Sequence, residues 1–142
     1  MDDKGRVSVP AWLREEFGTT SLVVTKGIEA SLWLYPPEGW KKLEPGLRSR
    51  AKTLPTKEAN KFQHKFLLPA REIEIDKTGR IALPQPLRDY AGLSRECIFL
   101  KNGNMIELWD TARYDIYQSQ IDADVPGILD NMDPIDFTIA EI

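Results

Sequence analysis

Two arginines, Arg6 and Arg80, close the same five-residue frame, Asp-x-x-Gly-Arg, at Asp2 to Arg6 and at Asp76 to Arg80. Asp can hydrogen-bond the backbone a residue or two ahead, and glycine (Gly5, Gly79) tolerates the positive φ that strains other residues, so each frame reads as a turn. An arginine leaving such a turn presents a planar fork that can grip a phosphate or pair bidentately with guanine O6 and N7 in a major groove. Lys4 and Lys77 lie in the same turns as candidate phosphate partners, and Arg14 and Arg88 follow as weaker DNA-contact candidates. A second reading stays open. Asp2 and Asp76 could hold the arginines in local ion pairs that only stiffen the turns, with Arg14 and Arg88 satisfying carboxylates on helix faces.

Other chemistry is poorly provided for. Adjacent carboxylates such as Asp2 and Asp3 point in opposite directions on an extended chain, and no second acid cluster or glycine-rich phosphate loop accompanies them. Ser8 and Ser31 have no matched base, because the single histidine, His64, lies in a basic helix. One cysteine, Cys97, cannot form an internal disulfide, and one Cys with one His cannot build a zinc cluster. Cys97 reads as a buried thiol in an apolar strand, and Trp12, Trp33, Trp40 and Trp109 read as core more readily than as base-stacking platforms. The sequence therefore predicts no enzyme, no metal and no cofactor.

The two frames belong to a longer duplication at an offset of 74 residues, in which residues 2–18 and 76–92 agree at seven of 17 positions. At the same offset Leu34-Tyr35 falls on Leu108-Trp109 and Trp40 on Tyr114, so the likeness runs through about 40 residues of each half. In each copy the turn leads into a short alternating strand, Arg6 to Val9 or Arg80 to Leu83. Pro10 and Pro84 then preset φ for a helix's first turn, and Gly18 and Gly92 can stop it in a left-handed conformation. Apolar strands near 22–26 and 97–101 lead through hairpin turns, Lys26 to Ala30 and Lys101 to Asn104, into strands near 31–35 and 105–109. Asn102-Gly103 is the stronger hairpin signal. Pro36-Pro37 and Asp110-Thr111 open further helices.

Between the copies, Leu43 to Pro55 is interrupted by Pro45, Gly46 and Pro55, and Thr56 can cap a helix from Lys57 to about Phe66. On that helix Ala59, Phe62 and Phe66 share a face and read as core, with Lys57, Lys61 and Lys65 on another. A unit of about 40 residues rarely buries enough apolar surface to stand alone, so the copies must pack on one another or on neighbouring chains.

The whole chain of 142 residues carries a formal charge of −3, which at first argues against a nucleic-acid partner. Its distribution reverses that impression. Residues 121–142 hold Asp122, Asp124, Asp130, Asp133, Asp136 and Glu141 and no Lys or Arg, which leaves the remainder at +3. Residues 41–65 alone carry +6. No apolar run reaches the roughly 18 residues of a membrane span, and the start lacks the apolar core of a signal peptide, so a cytosolic location is expected.

These features resemble the MraZ family of bacterial DNA-binding regulators, built on the SpoVT/AbrB (swapped-hairpin) type of domain. The resemblance rests on Asp-x-x-x-Arg in each half, each leading into an apolar strand, a Pro and Leu-Arg. It rests also on Glu74 to Arg80, on Ile106 to Asp110, and on the Phe-rich helix between the halves. It covers roughly residues 2–117. Family members carry about one more strand ahead of the first Asp-x-x-x-Arg, whereas this sequence begins immediately before Asp2; Leu68 to Ile75 supplies the equivalent strand in the second half.

The resemblance implies an α+β fold of duplicated AbrB-like units forming one pseudo-symmetric, β-barrel-like body. Its parts are a first repeat at 1–43 lacking its first strand, a linker and helix at 44–71, a second repeat at 72–117 and an acidic tail at 118–142. It implies a sequence-specific transcription regulator, a repressor, that binds short direct repeats of double-stranded DNA upstream of the division and cell-wall gene cluster. It further implies a homo-oligomeric ring in the cytoplasm, associated with the nucleoid. The alternative of another class is a protein-interaction module, antitoxin-like or a scaffold, whose arginine turns meet a protein.

Overall fold

The computed structural model describes residues 1–138; Glu141, counted above with the acidic tail, lies outside them. The elements in chain order are β1 (Arg6–Ser8), α1 (Ala11–Phe17), β2 (Ser21–Lys26), β3 (Leu32–Tyr35), α2 (Pro37–Ala51) and α3 (Thr56–Phe62). There follow β4 (Arg71–Glu74), β5 (Arg80–Ala82), α4 (Gln85–Ala91), β6 (Cys97–Asn102), β7 (Met105–Asp110) and α5 (Thr111–Asp130). This is an α+β fold in which the duplication of the sequence is a duplication of structure.

The halves are interwoven rather than side by side. β1 of the first half pairs antiparallel with β5 of the second, Val7 opposite Ile81 at the centre of a two-stranded ribbon. Two further bonds close the ribbon symmetrically, Val9 N to Gly79 O at 2.8 Å and Leu83 N to Gly5 O at 3.0 Å. The other five strands form one antiparallel sheet in the order β4-β2-β3-β7-β6, in which β3 and β7 join the halves. β4, which precedes the second turn, crosses to pair with β2 of the first half.

The barrel-like body expected above is not closed among the described residues, because β4 and β6 remain the two edges of an open sheet. Along β2, Ile75 N donates to Thr20 O and β4 continues the ladder; along β6, Met1 N donates to Arg95 O at the corresponding place. Beyond that bond β6 pairs only with β7 among the described residues and is only half-buried, whereas β2, paired on both sides, is buried.

One core underlies both halves. Val7, Val9, Leu13, Leu32 and Leu34 pack with their duplicates Ile81, Leu83, Leu87, Ile106 and Leu108. Each such side chain contributes about 1.5–3 kcal/mol by leaving water, against about 0–1 kcal/mol for an exposed ion pair, so packing between the copies dominates the stability of the fold. A second cluster of Val23, Trp40 and Leu67, flanked by Leu43, Leu47 and Phe62, holds α2 and α3 on the sheet.

Further sequence expectations need correction. α2 does not break at Pro45-Gly46 but runs to Ala51. Pro45 is exposed, so the hydrogen bond it forfeits lies on the solvent side while the opposite face stays packed through Trp40, Leu43 and Leu47. Thr56 is not a cap; Pro55 occupies that place with no side-chain cap, and the α-helix gives way after Phe62 to a π-helical turn over Gln63–Leu67. Finally, Pro10 and Pro84 sit at the N-caps of α1 and α4, one position before the helices begin, while Gly18 and Gly92 end them with φ of 59° and 58° as expected.

The hairpin between β6 and β7 turns at Gly103-Asn104, one residue later than Asn102-Gly103, because Asn102 still pairs with Met105. α5 is seated by Asp110, which accepts from Arg113 N at 3.2 Å, and by Trp109 stacked on Tyr117 at 4.8 Å. The acidic residues Asp122, Asp124 and Asp130 belong to this helix.

Candidate nucleic-acid interface

Each arginine turn is built around its aspartate. Asp2 accepts from Lys4 N at 3.0 Å and Arg6 N at 2.9 Å through one oxygen, and from Arg6 Nε at 2.7 Å through the other. Asp76 accepts from Thr78 N and Arg80 N, both at 2.9 Å, and from Arg80 Nε at 3.2 Å. Thr78 adds a hydroxyl bond at 2.8 Å, a contribution the sequence reading overlooked. Gly5 and Gly79 complete the turns at φ of 76° and 81°, the left-handed region where a side chain is strained.

The carboxylates are correspondingly acidic. Backbone donation from Arg80, helped by Thr78, lowers Asp76 to about 2, and backbone donation from Arg6 lowers Asp2 in the same direction. An acid depressed in the fold stabilises it above its unfolded value, near 4, and that contribution is lost as pH falls through about 2. The Thr78 amide resonance, followed by NMR in acid, should therefore titrate near pH 2; titration near 4 would show that the turn bonds are absent in solution.

The β1–β5 ribbon brings the two turns together. Arg80 Nη1 lies 3.7 Å from Asp2 Oδ2, the oxygen that also takes Arg6 Nε, so both guanidinium groups gather at one carboxylate. Their side chains remain about a third exposed, at 32% and 31%. The ion pairs of the stiffening reading are thus present, and the arginines they hold are still accessible. Tethering at Nε fixes the plane of each fork and lowers the entropy a bidentate contact would cost.

Lys4 and Lys77 are exposed on the turns at non-equivalent positions, since Lys4 corresponds to Thr78 and Lys77 to Asp3. Their replacement by alanine is expected to weaken binding to all DNA sequences alike and to flatten the salt dependence by about one unit each. Anisotropy titrations across a salt series measure both effects.

Arg14 and Arg88 do not satisfy carboxylates on helix faces, as the second sequence reading expects. Neither pairs with a carboxylate among the described residues. Each lies across the glycine of the other half's turn: a Cβ built on Gly5 would stand 2.5 Å from Arg88 Cζ, and one on Gly79 would stand 3.1 Å from Arg14 Cζ. The Nε of Arg88 is buried there without a hydrogen-bond partner. Identity of both the glycines and the arginines at offset 74 was the available sequence signal, but one sequence does not say that the contacts cross between halves.

The same geometry in two copies calls for a family duplicated in the same way. A family model described as "MraZ protein, putative antitoxin-like" matches residues 1–63 and 66–129. The chain belongs to the MraZ family. It is similar to a protein named transcriptional regulator MraZ from Treponema denticola, with 35% identity over 96% of this chain and 94% of the relative. Similar proteins of the same name occur in Natranaerobius thermophilus and Moorella thermoacetica, each with 37% identity over 98% of this chain and 94% of the relative. The paired MraZ matches divide at residues 63–66, within the π-helical turn that separates the two arginine frames.

Proposed function

We propose that this chain is a sequence-specific DNA-binding transcription regulator that acts as a repressor, with Arg6 and Arg80 reading base edges and Lys4 and Lys77 positioning phosphates. The observation that carries the reading is the pair of equivalent, accessible arginines held by carboxylates on one ribbon, in a chain whose MraZ relatives are named transcriptional regulators. The cross-pairing of β1 with β5 and of β2 with β4 favours the swapped-hairpin arrangement for the duplicated units. Arg14 and Arg88 support the turns and lie close enough to add phosphate contacts. In this reading the protein is not an enzyme; it works in the cytoplasm on the nucleoid, at short direct repeats before the division and cell-wall gene cluster.

One ribbon offers little basic surface, so affinity comes from several copies closed into a ring, where linked sites add avidity without new contacts. Light scattering at micromolar concentration should give an oligomer; a monomer would contradict the ring.

The antitoxin-like family description favours a second reading, an interaction module whose turns meet a protein. A gel shift on promoter DNA over a salt series separates the two. Preferential binding of promoter over scrambled DNA, weakening steeply with salt, is expected; equal or undetectable binding of both would favour the protein partner.

A further inference from the structure

The basic stretch between the halves contributes to a cavity that shares no residue with the arginine turns. It has a volume of about 270 Å³, and Lys26, His64 and Arg71 line it over an apolar floor that includes Pro84, Pro86 and Leu87. Arg71 is anchored, its Nη1 donating to Leu68 O and Ala70 O at 2.9 Å each. Beside the cavity, Tyr90 donates to Gly27 O at 2.6 Å, and its ring carries Lys26 Nζ at 5.2 Å and Lys65 Nζ at 4.1 Å. Lys65 Nζ also donates to the Tyr90 hydroxyl, and no carboxylate lies within 4.0 Å of Lys26, Lys65, His64 or Arg71 among the described residues. Basic side chains lining one cavity over an apolar floor, with no carboxylate at ion-pair distance, suit an anion.

We propose that this cavity binds a phosphate group through Lys26, His64 and Arg71. The ammonium and the guanidinium supply the charge, and the imidazole supplies a donor at the exposed rim. The apolar floor accommodates the carbon skeleton that bears the phosphate. That chemistry fits a free phosphate ester and a DNA backbone phosphate alike.

His64 is the chain's single histidine, so its imidazole resonances report on the site without ambiguity. Titration of the full chain with inorganic phosphate should shift them saturably, whereas chloride at matched ionic strength should not. Lys26→Gln and the double variant Lys26→Gln/Arg71→Gln should each weaken the response by about tenfold or more. The single variant serves if loss of the Arg71 anchor impairs folding. A response linear in concentration and matched by chloride, or one unchanged in a folded variant, would overturn the proposal.

A short random duplex then identifies the source. If the site takes backbone phosphate, the duplex displaces inorganic phosphate from His64 and the double variant flattens the DNA salt slope by about two units. If it takes a free ester, phosphate stays bound and the slope is unchanged. Either result leaves the phosphate site standing independently of what the arginine turns read.

Discussion

Arg6→Ala and Arg80→Ala are each expected to lower discrimination for the operator by about 1–3 kcal/mol, roughly 5- to 150-fold, while leaving the protein folded. The arginines contribute little to the fold. Their ion pairs are about a third exposed, where such pairs are worth about 0–1 kcal/mol, and the apolar ribbon residues Val7 and Ile81 beneath them remain buried. Because the two turns are equivalent across the ribbon, the two losses should be similar. Competition titrations of specific against random duplex, with melting as the control, make the measurement. Folded variants that discriminate as well as the parent would remove both residues from the reading surface.

Gly5→Ala should be among the most damaging single changes outside the core. An alanine there must adopt φ near 76°, which costs about 1–2 kcal/mol, and its Cβ would displace the guanidinium of Arg88, the end of a flexible side chain, at a smaller further cost. A fall of several degrees in Tm follows. Gly79→Ala bears the same backbone strain, but its contact with Arg14 is looser, at 3.1 Å against 2.5 Å, and Arg14 is exposed and free to yield. The diagnostic test is a double-mutant cycle. In an Arg88→Ala background the cost of Gly5→Ala should shrink towards the backbone strain alone, whereas equal costs in both backgrounds would show that Arg88 does not rest on the first turn.

The arginine turns were legible in the sequence because their chemistry is local. Asp, Gly and Arg within five residues specify the bonds that Asp2 and Asp76 make, and the left-handed stops at Gly18 and Gly92 are likewise set by neighbours in the chain. What was not legible depends on contacts distant in sequence. Pro45 reads as a helix breaker by propensity, yet the packing of Trp40 and Leu47 on the sheet outweighs one lost bond on an exposed face. Arg14 and Arg88 read as surface charges because nothing in their own halves indicates that each meets the opposite turn. The gathering of Lys26, His64 and Arg71 joins three separate segments, of which the sequence singled out only the one around His64 as basic.

The central claim, that the paired turns read DNA sequence, is tested most directly by selecting bound fragments from a random duplex library and sequencing them. The parent protein and the Arg6→Ala/Arg80→Ala double variant would be compared at one fixed salt concentration. The account predicts that the parent enriches a short, G-containing motif recurring as direct repeats, and that the folded double variant retains salt-sensitive binding but enriches no motif. Enrichment of the same motif by the double variant, or of none by the parent, would contradict it.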